Sequence, residues 1–294
     1  MKMANLFVCA VVASCGTAAM AQIDGVKEAN YGAPLAVQGN NTGFGNSNLG
    51  QATFANGSEL DAAYYRSSGA DVNLMLTGNL ESNFNKLEIF IDHRAGGVQT
   101  LDGSIPGAGS LFGLTFDNGF NADLWISVTC GGGTFAAYVN AWDLGGGAPS
   151  DYLGTNGGTG ALSGGNNWLG FGLGINNSNT GGVDGSGGAA NAANAAAVTT
   201  GIELSIPAAM LSIVNGAKVC AFINGAGHDY ASNQVLGSLP VGGNLGGNGS
   251  GGFTGNLAGV DFRQFAGDQF FVIPAPSAAA LLGLAGIAAG RRRR

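Results

Sequence analysis

The stretch ADLWISVTCGGGTFAAYVNAWD, residues 122–143, decides the fold. Apolar and polar residues alternate with a period of two on both sides of a glycine run, the pattern of two strands joined by a tight loop. A loop from Gly131 to Thr134 pairs Cys130 with Phe135, Val128 with Ala137 and Ile126 with Val139. That register places Leu124, Ile126, Val128 and Cys130 beside Phe135, Ala137, Val139 and Ala141 on one face. The other face carries Asp123, Trp125, Ser127, Tyr138, Asn140 and Trp142.

Working outward, KLEIFID (residues 86–92) alternates in the same way, with Leu87, Ile89 and Ile91 on one side and Lys86, Glu88, Phe90 and Asp92 on the other. Further β-rich segments bounded by Gly, Asn and Asp are Leu35–Gln38, Glu59–Arg66, Val72–Thr77, Leu111–Phe116, Thr199–Ile206, Ala217–Asn224, Asn233–Leu236 and Phe262–Val272. The pattern predicts an all-β chain, an antiparallel β-sandwich of jelly-roll-like form with long Gly-rich loops. A short helix is expected over Pro207–Val214, with Pro207 in its first turn. Residues 145–197 and 242–255 are low in complexity and read as Gly-rich loops, the first as an excursion from the sandwich rather than a domain boundary.

Glycine makes up 55 of 294 residues, far above its usual share of about 7%. Charged residues are only 10% and hydrophobic residues 45%, a balance that excludes a highly charged disordered chain and provides for a buried core. The body, residues 22–273, carries six basic against eighteen acidic residues, a net charge of −12. That charge argues against nucleic acid as a partner, since phosphate backbones are bound by cationic surfaces.

The first 21 residues, with Lys2 ahead of an apolar run and Ala19-Met20-Ala21 before Gln22, read as a secretory signal peptide cut by signal peptidase between Ala21 and Gln22. A lipid-attachment motif ending at Cys15 is the rival reading. After cleavage Cys130 and Cys220 are the only cysteines. They form either one disulfide or two separate buried thiols.

The chain ends VIPAPSAAALLGLAGIAAGRRRR. Residues 277–290 span about 21 Å as a helix, short of a hydrocarbon core of about 30 Å. Pro274 and Pro276 limit its backward extension, and Arg291, Arg292, Arg293 and Arg294 act as a stop signal that stays on the cytoplasmic side. This Pro-x-Pro step, small-residue helix and terminal Arg cluster resembles a PEP-CTERM sorting signal. The resemblance covers residues 274–294 and implies a transient inner-membrane anchor, processing by an exosortase-type membrane protease, and residence at the cell surface or in the extracellular matrix. Ala275 stands where that family usually has Glu.

A second resemblance begins at Ile23-Asp24-Gly25 and Ala29-Asn30-Tyr31, continues at Phe90-Ile91-Asp92 and ends in GIELSIPAAML (residues 201–211). These segments are similar to family-nine-type carbohydrate-binding modules and DOMON-like sandwiches. The resemblance implies a sandwich fold and carries no sugar-stacking residue over to this chain.

Searching for chemistry yields little. His93 and His228 read as polar loop residues, and neither a G-x-S-x-G element, an H-E-x-x-H motif nor a P-loop occurs. No catalytic residue and no enzyme activity are therefore expected. Gly181-Gly182-Val183-Asp184-Gly185 resembles one imperfect copy of a Ca²⁺-binding repeat. Ca²⁺ could also take oxygen ligands from Asp92 or other loop carboxylates, although an Asp capping a turn is the plainer reading. The clearest candidate surface is a glycan platform of Trp125, Tyr138, Trp142, Asp123 and Asn140. Aromatic rings would stack on sugar C–H faces while amides and carboxylates reach the hydroxyls. An ordinary sheet face partly covered by the Gly-rich excursion is the rival. The expectation is an exported, non-catalytic adhesion or glycan-associating protein, with exopolysaccharide as a partner. A purely structural matrix component and a polysaccharide-active enzyme are the alternatives.

Overall fold

The computed structural model describes residues 22–68, 70–146, 151–183, 192–211, 216–229, 231–237 and 259–275. The leader up to Ala21, the 242–255 loop, Pro276, the tail helix and Arg291–Arg294 lie outside the described residues. Among the described residues no helix is long and apolar enough to cross a membrane.

The strands are β1 (Ala36–Val37), β2 (Glu59–Ser67), β3 (Asp71–Asn79), β4 (Lys86–Asp92), β5 (Leu124–Gly131), β6 (Ala136–Asp143), β7 (Asp151–Asn156), β8 (Thr159–Ala161), β9 (Ser163–Gly164), β10 (Gly172–Ile175), β11 (Gly201–Pro207), β12 (Ala217–Asn224) and β13 (Phe271–Ile273). They form two antiparallel sheets. One runs β1-β2-β3-β11-β10-β8 and the other β13-β12-β4-β5-β6-β7-β9. The chain is thus an all-β sandwich.

Alternation builds the core. Leu74, Leu76, Ile202 and Leu204 of the first sheet pack against Leu87, Ile89, Ile126 and Val139 of the second, all fully buried. Burying each such side chain contributes about 1.5–3 kcal/mol. The central hairpin pairs Cys130 with Ala137 and Val128 with Val139, two residues away from the expected register. An even slip leaves every side chain on its expected face, because the side-chain period is two.

The first low-complexity stretch is not a structureless loop. It supplies β7, β8, β9 and β10, the last two strands at one end of each sheet, with β8 and β9 at the edges. Three expected strands differ the other way. Residues 111–116 hold the end of a 3₁₀ turn (Gly109–Leu111) and two isolated bridges at Thr115, to Thr100 and Asp261. Residues 233–236 hold one bridge at Leu236, and of 262–272 only the end is strand, after a 3₁₀ turn at Phe262–Gln264. Each segment is drawn off the sheet because its Phe, Leu or Val side chains are buried in a second cluster described below. Of the helix expected over Pro207–Val214, the described residues form one 3₁₀ turn, Ala208–Met210, and residues 212–214 lie outside the described residues.

The disulfide alternative is corrected. Cys130 and Cys220 are both free and buried, Cys130 in the inter-sheet core and Cys220 in the cluster on the opposite face of the same sheet. Cys220 lies opposite Phe90, and Phe90 opposite Trp125, five residues along β5 from Cys130. That offset is about 17 Å along the strand plus two strand spacings, whereas a disulfide needs Cα atoms within about 7 Å. Burial pushes both thiols far above their ordinary pKa and keeps them un-ionised. Thermal melts with and without dithiothreitol are therefore expected to superimpose.

Candidate ligand-binding face

The outer face of the seven-stranded sheet, expected to carry the platform, is divided in two. At one end Phe90, Trp125, Trp142, Cys220 and Phe222 are covered by Leu101, Leu111, Leu114, Phe116 and Phe120, with Ala231, Val235, Phe262 and Phe270 closing the sides. Trp125 is 0% and Trp142 8% exposed, and their rings stack at 3.7 Å. Asp123 is also fully buried. Its Oδ2 accepts hydrogen bonds from the backbone N–H of His93 (2.7 Å) and Arg94 (2.9 Å), so it ties the end of β4 to the start of β5. Trp125, Trp142 and Asp123 thus cannot meet a sugar, because a cap of loops rather than solvent faces them. The platform expectation is corrected at these three positions.

The other end is open. Tyr138 and Asn140 are half-buried, and so are Lys86 and Tyr152. Tyr138 pairs with Thr129 on one side and Thr155 on the other, while Asn140 pairs with Ser127 and Tyr152. Lys86 donates from Nζ to Thr129 Oγ1 at 3.2 Å. Phe84, which lies just before β4, completes this face.

Phe84 was not singled out from the sequence, where it sits in the polar turn ESNFN. It is 44% exposed and has a φ of 71°, a left-handed conformation that costs a bulky residue on the order of 1–3 kcal/mol. Its N–H donates to the carbonyl of Cys130 at 2.8 Å. That bond anchors the turn to the hairpin and lays the ring over Gly131, where a β-carbon would stand 2.7 Å from the ring. The Phe84 and Tyr138 ring centroids are 6.5 Å apart, tilted by 36°. Two accessible rings, flanked by an ammonium, a hydroxyl and an amide, can stack on the C–H face of a sugar and hydrogen-bond its edge.

The polar groups around His93, His228 and Asp92 are already committed. A crevice of about 160 Å³ is lined by His93, Arg94, Asp123, Asp143, Trp168 and Met210. Ligand sites usually measure about 300–1,000 Å³, and Arg94 is held by Asp123 and Asp143, so this crevice is a closed structural corner. Burial, chiefly, pushes His93 below the usual imidazole range. His228 Nδ1 lies 2.6 Å from Glu88 Oε1, and Glu88 Oε2 accepts the Trp125 indole N–H at 2.7 Å, which pins the cap to the sheet. Asp92 accepts from Lys218 Nζ at 3.4 Å and from the Asn121 N–H at 3.2 Å, so the turn-capping reading describes it. Among the described residues no group of three or more His, Cys, Asp or Glu side chains gathers as for a metal ion.

Neither a family model, nor a curated protein, nor a solved structure matches this chain.

Proposed function

We propose that this chain is an exported, non-catalytic protein of the cell surface or extracellular matrix, and that it associates with glycan through the Phe84–Tyr138 end of its seven-stranded sheet. The leader, the PEP-CTERM-like tail and the acidic body support export and surface residence. The observation that carries the glycan reading is Phe84. An accessible aromatic ring held in an unfavourable backbone conformation is strain that packing alone does not reward.

Affinity electrophoresis of the purified full chain against immobilised polysaccharides tests the reading. Stacking contributes about 0.5–1.5 kcal/mol per aromatic pair, so Phe84→Ala combined with Tyr138→Ala is expected to weaken binding about 5- to 150-fold. Phe84→Gly is expected to reduce binding in the same way while melting at or above the wild-type temperature, because glycine relieves the backbone strain. Retained binding in the double variant would reject this face. Self-assembly without any sugar binding would favour a structural matrix role. Mature protein that keeps Arg291–Arg294 by mass spectrometry would reject processing of the tail.

A further inference from the structure

Glu59 and Asp61 lie on β2 on the far side of the molecule from the Phe84 face, in the other sheet. Ordinary alternation already puts positions 59 and 61 on one side. Pairing of β2 with β3 runs Leu60↔Gly78 and then Ala62↔Thr77, so Asp61 is an extra, bulged residue. Leu60 and Ala63 point into the inter-sheet core, while Ala62 and Tyr64 belong to the outer cluster. Glu59 and the bulged Asp61 therefore share the outer surface with Asn79, the register partner of Glu59.

A strap, residues 177–183, closes over them. Asn79 Nδ2 donates to the carbonyls of Asn177 (2.9 Å) and Asn179 (3.2 Å), and Asn177 is itself bonded to Thr53 and Leu80. Asn179 Nδ2 donates to Glu59 Oε1 at 2.7 Å, and the Val183 N–H donates to Asp61 Oδ1 at 2.8 Å. The strap can come this close only because residue 182 is glycine. A β-carbon there would stand 2.3 Å from Asp61 Oδ1 and 2.6 Å from Oδ2.

Each carboxylate thus has one satisfied oxygen. The second, Glu59 Oε2 and Asp61 Oδ2, is buried with no hydrogen-bond partner, and both residues are 0% exposed. Neither takes part in any of the ion pairs among the described residues. Two buried acids with an orphaned oxygen apiece are among the costliest groups a fold can hold. Asn179 Nδ2 has Glu59 Oε1, Asn79 Oδ1 and the Gly181 carbonyl around it, three acceptors for two protons. Oxygen is in excess here and positive charge is missing.

We propose that Glu59 and Asp61 form a Ca²⁺ site beneath the strap, completed by neutral oxygens such as Asn79 Oδ1 and the Gly181 carbonyl. The donors are all hard oxygens, with no imidazole or thiolate, which selects Ca²⁺ over zinc-type metals. Two carboxylates completed by amide and carbonyl oxygens suit the weak class of extracellular sites, with Kd of about 10⁻⁴–10⁻³ M. An open groove of about 500 Å³, lined by residues 178–182, Asn194 and residues 197–200, leads to Asn179, Gly181 and Gly182. Burial, and for Glu59 also the neighbouring Asp61 charge, holds both carboxyls of the metal-free chain above the usual carboxylate range.

Isothermal titration calorimetry and thermal melting of the chelator-stripped full chain test this site with CaCl₂, and with MgCl₂ as comparison. One Ca²⁺ is expected to bind, and at 100 times its Kd to raise the folding equilibrium constant about 100-fold, seen as a rise in Tm of several degrees. The charge-neutral variants Glu59→Gln and Asp61→Asn are expected to lose the Ca²⁺ heat and the Tm rise. Each variant keeps the shape of the side chain it replaces, so far-UV circular dichroism and a cooperative melt are expected to show both folded. A folded wild type that gives neither heat nor a Tm rise with Ca²⁺ would overturn the proposal. Binding that survives in both variants would also overturn it, by placing the ion elsewhere. Neither result bears on glycan binding at Phe84.

Discussion

Replacing Trp125 with alanine is expected to destabilise the fold by about 3–5 kcal/mol, the cost of emptying a buried aromatic site. The indole stacks on Trp142 at 3.7 Å, lies 5.6 Å from Phe90 in stacked orientation, and meets the His228 ring edge-on at 5.5 Å. It also donates to Glu88 Oε2 at 2.7 Å. Alanine would remove the ring that joins the sheet to its cap and leave one oxygen of a fully buried carboxylate without a partner. In urea denaturation the midpoint should fall strongly. Trp125→Phe, which keeps most of the volume but not the donor, should lie between alanine and wild type. The experiment also separates the two halves of the face. Trp125→Ala should act on stability, and Phe84→Ala on ligand binding with little loss of stability. A Trp125→Ala protein as stable as wild type would mean that the cap does not rest on this ring.

The contrast between these aromatic residues shows what the sequence could and could not convey. Lys86–Asp92 and Ala217–Asn224 are strands with the boundaries that alternation and turn residues predict. Alternation also assigns the faces of the central hairpin, and a slip of two residues leaves those faces unchanged. An outward aromatic residue in a strand, however, reads the same whether water or a second layer lies above it. The layer above Trp125 is assembled from segments within 98–122, 231–237 and 259–270, parts of which read as strands, so the pattern does not tell a cap above the sheet from strands within it. The strands between 151 and 175 are similarly hidden. Gly154, Gly160, Gly164, Gly172 and Gly174 contribute backbone hydrogen bonds but no side-chain pattern. Phe84 escaped notice because its importance lies in a backbone angle, and that angle is set by the carbonyl of Cys130, a residue far along the chain. Glu59 and Asp61 read as an ordinary alternating pair. Only the bulge and the strap over them reveal two buried carboxylates with vacant oxygens.

Glu203 is expected to show the second large effect. Its buried carboxylate on β11 holds down the N-terminal segment that crosses the outer surface of the six-stranded sheet. Oε2 accepts from the backbone N–H of Asp24 (2.9 Å) and Gly25 (3.1 Å), and Oε1 accepts from Tyr31 Oη (2.6 Å) and Arg66 Nη2 (3.4 Å). The Arg66 guanidinium lies 4.6 Å over the Tyr31 ring and 3.7 Å from Glu28, so one acid organises the Ile-Asp-Gly and Ala-Asn-Tyr elements together. Glu203→Ala would leave Arg66 buried with only the Glu28 contact and its hydrogen bond to Asn30 Oδ1 (3.3 Å), and two backbone donors unmade, at a cost of about 3–5 kcal/mol. Glu203→Gln keeps the shape and one acceptor oxygen but turns an amide toward Arg66, and should lose less. Hydrogen exchange at the Asp24 and Gly25 amides should quicken in both variants, most in alanine. The pH dependence has a definite sign. Burial outweighs the Tyr31 and backbone donors and holds the Glu203 carboxyl above the usual carboxylate range. Its proton-linked stabilisation is therefore fully present below the unfolded value of about 4.3 and is lost as pH rises through the raised folded value. Glutamine has no proton to lose, so the stability gap between wild type and Glu203→Gln should narrow as pH rises above about 4.3 and through the raised folded value. A gap that widens would mean that the Arg66 ion pair, and not burial, governs this carboxylate.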